Sequence, residues 1–191
     1  TLIIKNPSDT VTVSCTCIKM AKKSITVNMD NHVKNVTGYG PDAIEIGGGA
    51  TVHMEAADGY RLPSEDLISV TGAQATFSFG EGLKSVTITL SNCTGDVIIS
   101  GSPIVRRTIS TSITNGTANP SSGEVDTNDS WSTTLSPNEG YKLPSTISVT
   151  IGGESATGDA YTYNSSNGSV SISHVTGNVV ISANMPALTV A

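Results

Sequence analysis

Gly59-Tyr60-Arg61-Leu62-Pro63 recurs in the same chain as Gly140-Tyr141-Lys142-Leu143-Pro144. Just downstream, Ile68-Ser69-Val70-Thr71 recurs as Ile147-Ser148-Val149-Thr150. Further on, Thr94-Gly95-Asp96-Val97-Ile98-Ile99-Ser100 returns as Thr176-Gly177-Asn178-Val179-Val180-Ile181-Ser182. Upstream, Lys22-Lys23-Ser24-Ile25-Thr26 matches Arg106-Arg107-Thr108-Ile109-Ser110. The offsets of 81, 79, 82 and 84 residues, in that order, drift only as loop insertions and deletions would. Four ordered matches near one spacing identify a duplicated unit of about 80 residues.

Within the unit, apolar and polar residues alternate. Val52, Met54 and Ala56 form one run; Val86, Ile88 and Leu90 another; Val97 and Ile99 a third. The second copy gives Ile147, Val149 and Ile151, then Tyr161 and Tyr163, Val170 and Ile172, Val179 and Ile181. A period of two turns one face of a strand inward and the other outward. Turn signals separate the runs: Glu81-Gly82, Asn115-Gly116, Asn167-Gly168, and the Thr-Gly-Asp/Asn stretches at 94–96 and 176–178. Thr, Ser, Gly, Asn and Val dominate the composition, and aromatic residues make up 4%. No long run has helical apolar spacing, so helix is expected to be minor. Short strands about ten residues apart predict an all-β chain of sandwich or small-barrel type. A unit of this size can bury about 60% of its unfolded surface, enough for a core of its own.

The duplication sets the expected organisation. Residues 23–105 form the first repeat and 106–191 the second. Asn6 through Ser14 line up with Asn92 through Ser100, so residues 1–22 read as the tail of a preceding repeat. The alternative is a leading hairpin that donates a strand to a neighbouring chain. The join Ser102-Pro103-Ile104-Val105 is short and fits either strand continuity or a stiff kink.

The formal net charge is −6, which repels phosphate backbones and argues against general nucleic-acid binding. No stretch approaches the roughly 18 apolar residues of a membrane span. The three cysteines are Cys15, Cys17 and Cys93. Cys15 and Cys17 would share one strand face, a poor geometry for a disulfide, and an odd count argues against a disulfide framework. All three are read as free thiols. No Cys/His group has metal-ligand spacing, and no nucleophile elbow, phosphate loop or dinucleotide fingerprint is present. No catalytic residue, cofactor or metal is expected.

The repeated Gly-Tyr-basic-Leu-Pro element is the sharpest local feature. Gly59 and Gly140 suit positive φ, Tyr60 and Tyr141 offer a ring and a hydroxyl, Leu62 and Leu143 an apolar anchor, and Pro63 and Pro144 a stop to strand pairing. A packed corner between strands is the structural reading; a sugar-stacking aromatic is the functional one. Trp131, the single tryptophan, and Tyr161 are the candidate binding residues, with burial against the core as the competing role. The counterpart of Trp131 in the first copy falls near Ala50. Lys22-Lys23 and Arg106-Arg107 read as solvated residues at the joins. Asp126-Thr127-Asn128-Asp129 lacks the glycine and distant glutamate of a calcium loop and reads as a surface turn. Asn35, Asn115 and Asn128 begin Asn-x-Ser/Thr triplets, a cheap motif in this composition. Of the three histidines, His32, His53 and His174, the latter two are placed in strands as half-exposed residues.

Gly-Tyr-x-Leu-Pro, then Ile-Ser-Val-Thr, then Val175-Thr176-Gly177-Asn178-Val179-Val180-Ile181-Ser182-Ala183 resembles the Ig-like repeat modules of tailed-phage virion proteins and of Gram-positive bacterial surface proteins. The resemblance spans both copies. It implies two tandem Ig-like β-sandwich repeats with a leading β-hairpin segment, and a non-catalytic structural or attachment role in a virion tail, fibre or capsid decoration. It also implies partners among other virion or surface-assembly subunits, a homo-oligomer, contact with cell-surface glycans, and a virion-surface or extracellular location without membrane or nucleic acid. A bacterial surface adhesin or filament segment, and a carbohydrate-binding appendage of a cell-wall enzyme, are the alternatives. Asp96 and Gly101 stand where the second copy has Asn178 and Ala183, so matching ligand sites in the two copies are not implied.

Overall fold

The computed structural model describes residues 10–12 and 20–189. Cys15, Cys17 and most of the expected leading hairpin lie outside the described residues. Those described form an all-β fold with four short 3-10 turns and no α-helix. The strands run in chain order as β1 (Lys22–Asn28), β2 (Val33–Thr37), β3 (Gly40–Glu45), β4 (Ala50–Ala56), β5 (Tyr60–Arg61), β6 (Ser69–Thr71), β7 (Gln74–Phe79), β8 (Ser85–Ser91) and β9 (Val97–Ser100). They continue as β10 (Ile104–Thr114), β11 (Gly116–Asn119), β12 (Ser122–Asp126), β13 (Trp131–Pro137), β14 (Ser148–Ile151), β15 (Glu154–Ser155), β16 (Thr162–Tyr163), β17 (Ser169–Ile172) and β18 (Val179–Asn184).

Up to β9 these strands build two sheets, ordered β3-β1-β9-β6 and β2-β4-β8-β7. From β10 onward the orders are β12-β10-β18-β14-β15 and β11-β13-β17-β16. Strand for strand these orders correspond, with β15 as an addition at one edge. In each half the first strand pairs in parallel with the last: Thr26 lies opposite Ile98 in β1–β9, and Ser110 opposite Val180 in β10–β18. Every other pairing is antiparallel.

Each half has its own core, assembled from the inward faces of both its sheets. In the first, Ile25, Ile44, Val97 and Ile99 meet Val52, Met54, Ala56, Val86, Ile88 and Leu90. In the second, Ile109, Val149, Val179 and Ile181 meet Leu135, Val170 and Ile172. This face-to-face burial of alternating residues is sandwich-like packing. The alternation is strict where it is deepest: Val86, Ile88 and Leu90 are fully buried, and the intervening Thr87 and Thr89 are not.

A side-chain latch appears twice beside the parallel pairing. Asp96 Oδ1 accepts from the backbone N–H of Ser24 at 2.9 Å and from its hydroxyl at 3.0 Å. Asn178 Oδ1 accepts from the N–H of Thr108 at 3.1 Å. The Thr-Gly-Asp/Asn stretches were legible as turns; their Asp/Asn also satisfies a backbone donor at the start of the first strand, which would otherwise be open.

Some expectations are corrected by the coordinates. His53 lies in β4, but His174 falls beyond the end of β17 and is exposed. Arg106 and Arg107 are not a solvated linker: both lie inside β10, which begins at Ile104, and the Arg106 side chain is only 17% exposed. The short join therefore resolves as strand continuity, because Ile104 and Val105 have ladder partners in β5.

Replacing Ile88 by Ala should cost about 2–5 kcal/mol in chemical denaturation, since the side chain is fully buried between two flanking strands. The same change at Ile98, on the solvent face of the next strand and 43% exposed, should stay within about 0.5 kcal/mol.

Candidate functional site

The Gly-Tyr-basic-Leu-Pro element forms a tight corner in both halves. Tyr60 N–H donates to Ala57 O at 3.1 Å and Tyr141 N–H to Asn138 O at 3.0 Å. Gly59 and Gly140 hold φ of +78° and +84°, a region L side chains avoid. Leu62 is buried in the first core, Leu143 packs on the second, and Pro63 and Pro144 are buried beside them. The Tyr60 ring stacks on His32 with centroids 4.1 Å apart. Hydroxyl bonds to backbone come instead from Tyr163, to Pro144 O at 2.9 Å, and from Tyr161, to Ile147 O at 3.4 Å. Burial without a charged partner pushes the Tyr163 phenol above its ordinary pKa.

The corner is also a strand receptor. Val105 lies opposite Tyr60 and Ile104 opposite Arg61, and Arg106 N–H donates to Gly59 O at 2.7 Å. The first corner thus holds the beginning of β10, which then runs on as the first strand of the second half. In the second half the same slot is filled by Pro186–Leu188: Tyr141 bridges Ala187, Leu188 N–H donates to Gly140 O at 2.8 Å, and Lys142 N–H donates to Pro186 O at 3.0 Å.

An ionic network locks the first corner to β12, the strand paired beside β10. Arg61 Nε donates to both carboxylate oxygens of Asp126 at 2.9 Å, its Nη2 also donates to Oδ2, and its Nη1 donates to Leu62 O at 3.0 Å. The Arg61 and Asp126 side chains are 18% and 20% exposed. Arg106 Nη2 donates to Glu124 O at 2.6 Å. Arg106 Nε is buried 3.5 Å from Asp126 Oδ1, close enough for attraction but too poorly aligned for a hydrogen bond. Lys84 bridges Tyr60 O at 3.1 Å and the Glu124 carboxylate at 3.5 Å. Asp126 was expected in a surface turn; it instead pairs with a residue 65 positions away. Hydrogen bonding from Arg61 holds the Asp126 carboxyl below the usual range, against the opposing effect of desolvation, and the same bond raises the Arg61 guanidinium.

Trp131, the first residue of β13 as Ala50 is of β4, packs against the second core. A Cβ on Gly123 would lie 2.9 Å from its indole nitrogen, so Gly123 makes room for the ring. Tyr161 also packs on that core. The structure does not bring the two together as an open platform. The exposed aromatic is Tyr39, which the sequence did not single out; it is 54% exposed. It borders an open cleft of about 390 Å³ lined by Ser24, Ile25, Thr26, Val27, Gly40 and Pro41. The cleft opens where the β1–β3 register slips, between Lys23 opposite Ile44 and Ile25 opposite Gly40.

Asn35, at the register slip within β2, and Asn115 and Asn128, at bends between strands, all adopt positive φ, a region asparagine tolerates. Cys93 is buried and free, with its Sγ 3.2 Å from Gly95 O. Among the described residues, no group of three or more His, Cys, Asp or Glu side chains could hold a metal ion. No helix among them is long and apolar enough to cross a membrane. Comparison with protein-family models, with curated proteins and with solved structures returns no match.

Asp126→Ala leaves Arg61 partly buried without its carboxylate and should destabilise the chain by about 1–3 kcal/mol at neutral pH. Because the folded carboxyl is depressed, that contribution is complete above the unfolded pKa of roughly 3.9. It is lost as pH falls through the lower folded value. Denaturation curves of wild type and Asp126→Ala should therefore be well separated at neutral pH and converge in acid.

Proposed function

We propose that the chain is a non-catalytic structural and attachment module, made of two tandem Ig-like β-sandwich repeats and carried on the surface of a phage particle as a tail, fibre or capsid-decoration component. The observation that carries this reading is the way the halves are joined. One strand serves both, and an arginine–carboxylate fork clamps β12, the strand paired beside it, to the preceding corner. Interfaces between domains of one chain leave them free to move unless they are large and hydrophobic. A shared strand with a bidentate ion pair restricts rotation instead, a property suited to a spacer that must hold its far end at a set distance. The duplicated sheet order supports the repeat assignment, and the resemblance of the repeated motifs supports its Ig-like character and its setting in a virion.

Contact with host cell-surface carbohydrate, within the same reading, belongs to Tyr39 and its uncharged cleft rather than to Trp131 or Tyr161. A neutral sugar needs an exposed ring face and a nearby hydroxyl; Tyr39 supplies the first and Thr26 the second, the Ser24 hydroxyl being donated to Asp96. Trp131 and Tyr161 commit much of their surface to the core.

Antibodies raised against the purified chain should label phage particles in regular copy number. Labelling confined to the bacterial surface would replace this reading with that of an adhesin. In pull-downs with Gram-positive wall polysaccharide, Tyr39→Ala should lose retention and Trp131→Phe should keep it. Undiminished retention by Tyr39→Ala would remove the cleft from the account.

A further inference from the structure

The joint between the halves has a donor side and an acceptor side, and the duplicated topology supplies each of them a second time. The donor is the corner with its basic residue. Arg61 plays this part in the first half, and Lys142, exposed, stands in the same place in the second. The acceptor is the start of the first strand with its neighbour across the ladder. In the second half Arg106 lies opposite Asp126; in the first, Lys22 lies opposite Glu45. The backbone agrees: Ile46 N–H donates to Ala21 O at 2.9 Å as Thr127 N–H donates to Val105 O at 3.0 Å. Lys22 and Glu45 therefore occupy the positions of Arg106 and Asp126.

The two acceptors differ in what fills them. Arg61 occupies the one in the second half. The one in the first half carries an open cleft of about 420 Å³, lined by Lys22, Asp42, Glu45, Gly48 and their neighbours. Among the described residues, the ion pairs of the chain include none of Lys22, Asp42, Glu45 and Lys142. At the second corner Pro186–Leu188 supply strand pairing but no carboxylate for Lys142: Leu188, more than half exposed, stands where Arg106 stands in the first joint.

We infer that the acceptor face at Lys22 and Glu45 binds the Gly140–Pro144 corner of a second copy of this chain. Lys142 of one copy takes up Glu45 of the next as Arg61 takes up Asp126. The Met20–Lys22 strand start of the incoming copy replaces Pro186–Leu188 in the corner's slot. Donor and acceptor are different surfaces, so the contact is heterologous and its repetition builds an open row of copies rather than a closed dimer. A lysine presents a point charge where arginine presents a fork, so this contact is weaker than the joint within the chain and sensitive to salt. This inference rests on the proposed structural role, whose assembly surface it names.

Sedimentation velocity on the full chain tests it. The sedimentation coefficient should rise between about 10 μM and about 1 mM protein at low salt, and the rise should be lost at about 0.5 M salt. Lys142→Glu and Glu45→Lys should each remain monomeric, with circular dichroism unchanged. An equimolar mixture of the two variants, and the double variant K142E/E45K, should associate again, because each restores opposite charges across the contact. A wild-type chain that is monomeric at the highest concentration, association that survives in both single variants, or a mixture that fails to recover would overturn the inference. These outcomes are read on the purified chain, whereas particle labelling decides the proposed function, so either can fail while the other stands.

Discussion

Strand β10 belongs to both halves of the molecule, and much of the architecture follows from that. Its first two residues complete a ladder with the corner of the first half; its later residues pair with β12 and β18 of the second. A hinge at this join would have to break the Arg106–Gly59 backbone bond and pull Asp126 away from Arg61. A flexible linker of the same length carries neither cost. The corner is shaped for this duty: a left-handed glycine turns the chain, a leucine anchors it in the core, and a proline ends the strand so that only two residues are offered for pairing.

Charge is spent sparingly and placed where it joins parts. Only 14% of residues are Asp, Glu, Lys or Arg, yet Arg61, Lys84, Arg106, Glu124 and Asp126 converge on one join. Elsewhere the pairs are exposed, as with Lys34 and Asp58, and such pairs contribute little in water. At the join Arg61, Arg106 and Asp126 are mostly covered while Lys84 and Glu124 lie on its exposed rim, and Arg61 holds Asp126 in a bidentate fork, the arrangement in which an ion pair offsets its desolvation. Asp96 shows the converse economy. Its exposed carboxylate is held below the usual range by backbone and hydroxyl hydrogen bonds from Ser24, and the second half makes the equivalent backbone contact with the neutral Asn178. The latch needs an acceptor oxygen, and charge is optional there.

The fold was largely legible because it is written in period-two alternation, a signal local enough to read directly. Val52, Met54, Val86, Ile88, Val97 and Ile99 could be assigned inward from spacing alone, and all are buried. The corner was legible as a corner because glycine and proline constrain backbone locally. The receptor role of that corner was not, since it depends on Val105 meeting Tyr60, a pairing between segments whose sequences carry no mutual mark. Asp126 illustrates the same limit: nothing near it names Arg61 as partner, so its neighbours suggested an ordinary turn. The Tyr39 cleft was hidden for another reason. It arises from a slipped register between β1 and β3, and register is set by the whole sheet rather than by the residues that line the gap.

The differences between the two halves carry more information than their agreement. Where a feature is kept in both, such as positive φ at Gly59 and Gly140, the shared fold accounts for it. Beside the β1–β3 slip the first half leaves a cleft; at the corresponding place in the second, β10 and β12 pair without a break from Arg106–Asp126 to Ser110–Ser122, and the Thr111 hydroxyl donates to Ser121 O at 2.9 Å. The scaffold can therefore be built closed, and leaving it open in one copy is a separate choice. The corners diverge likewise: each slot is filled by a later segment of the chain, but arginine stands where a carboxylate lies within reach and lysine where Pro186–Leu188 offer only backbone. A guanidinium fork suits a fixed, covered partner, whereas a hydrated ammonium on a flexible stem loses little by waiting in solvent. The duplicated unit thus supplies one geometry, and its two copies differ in the basic residue of the corner and in whether a carboxylate meets it.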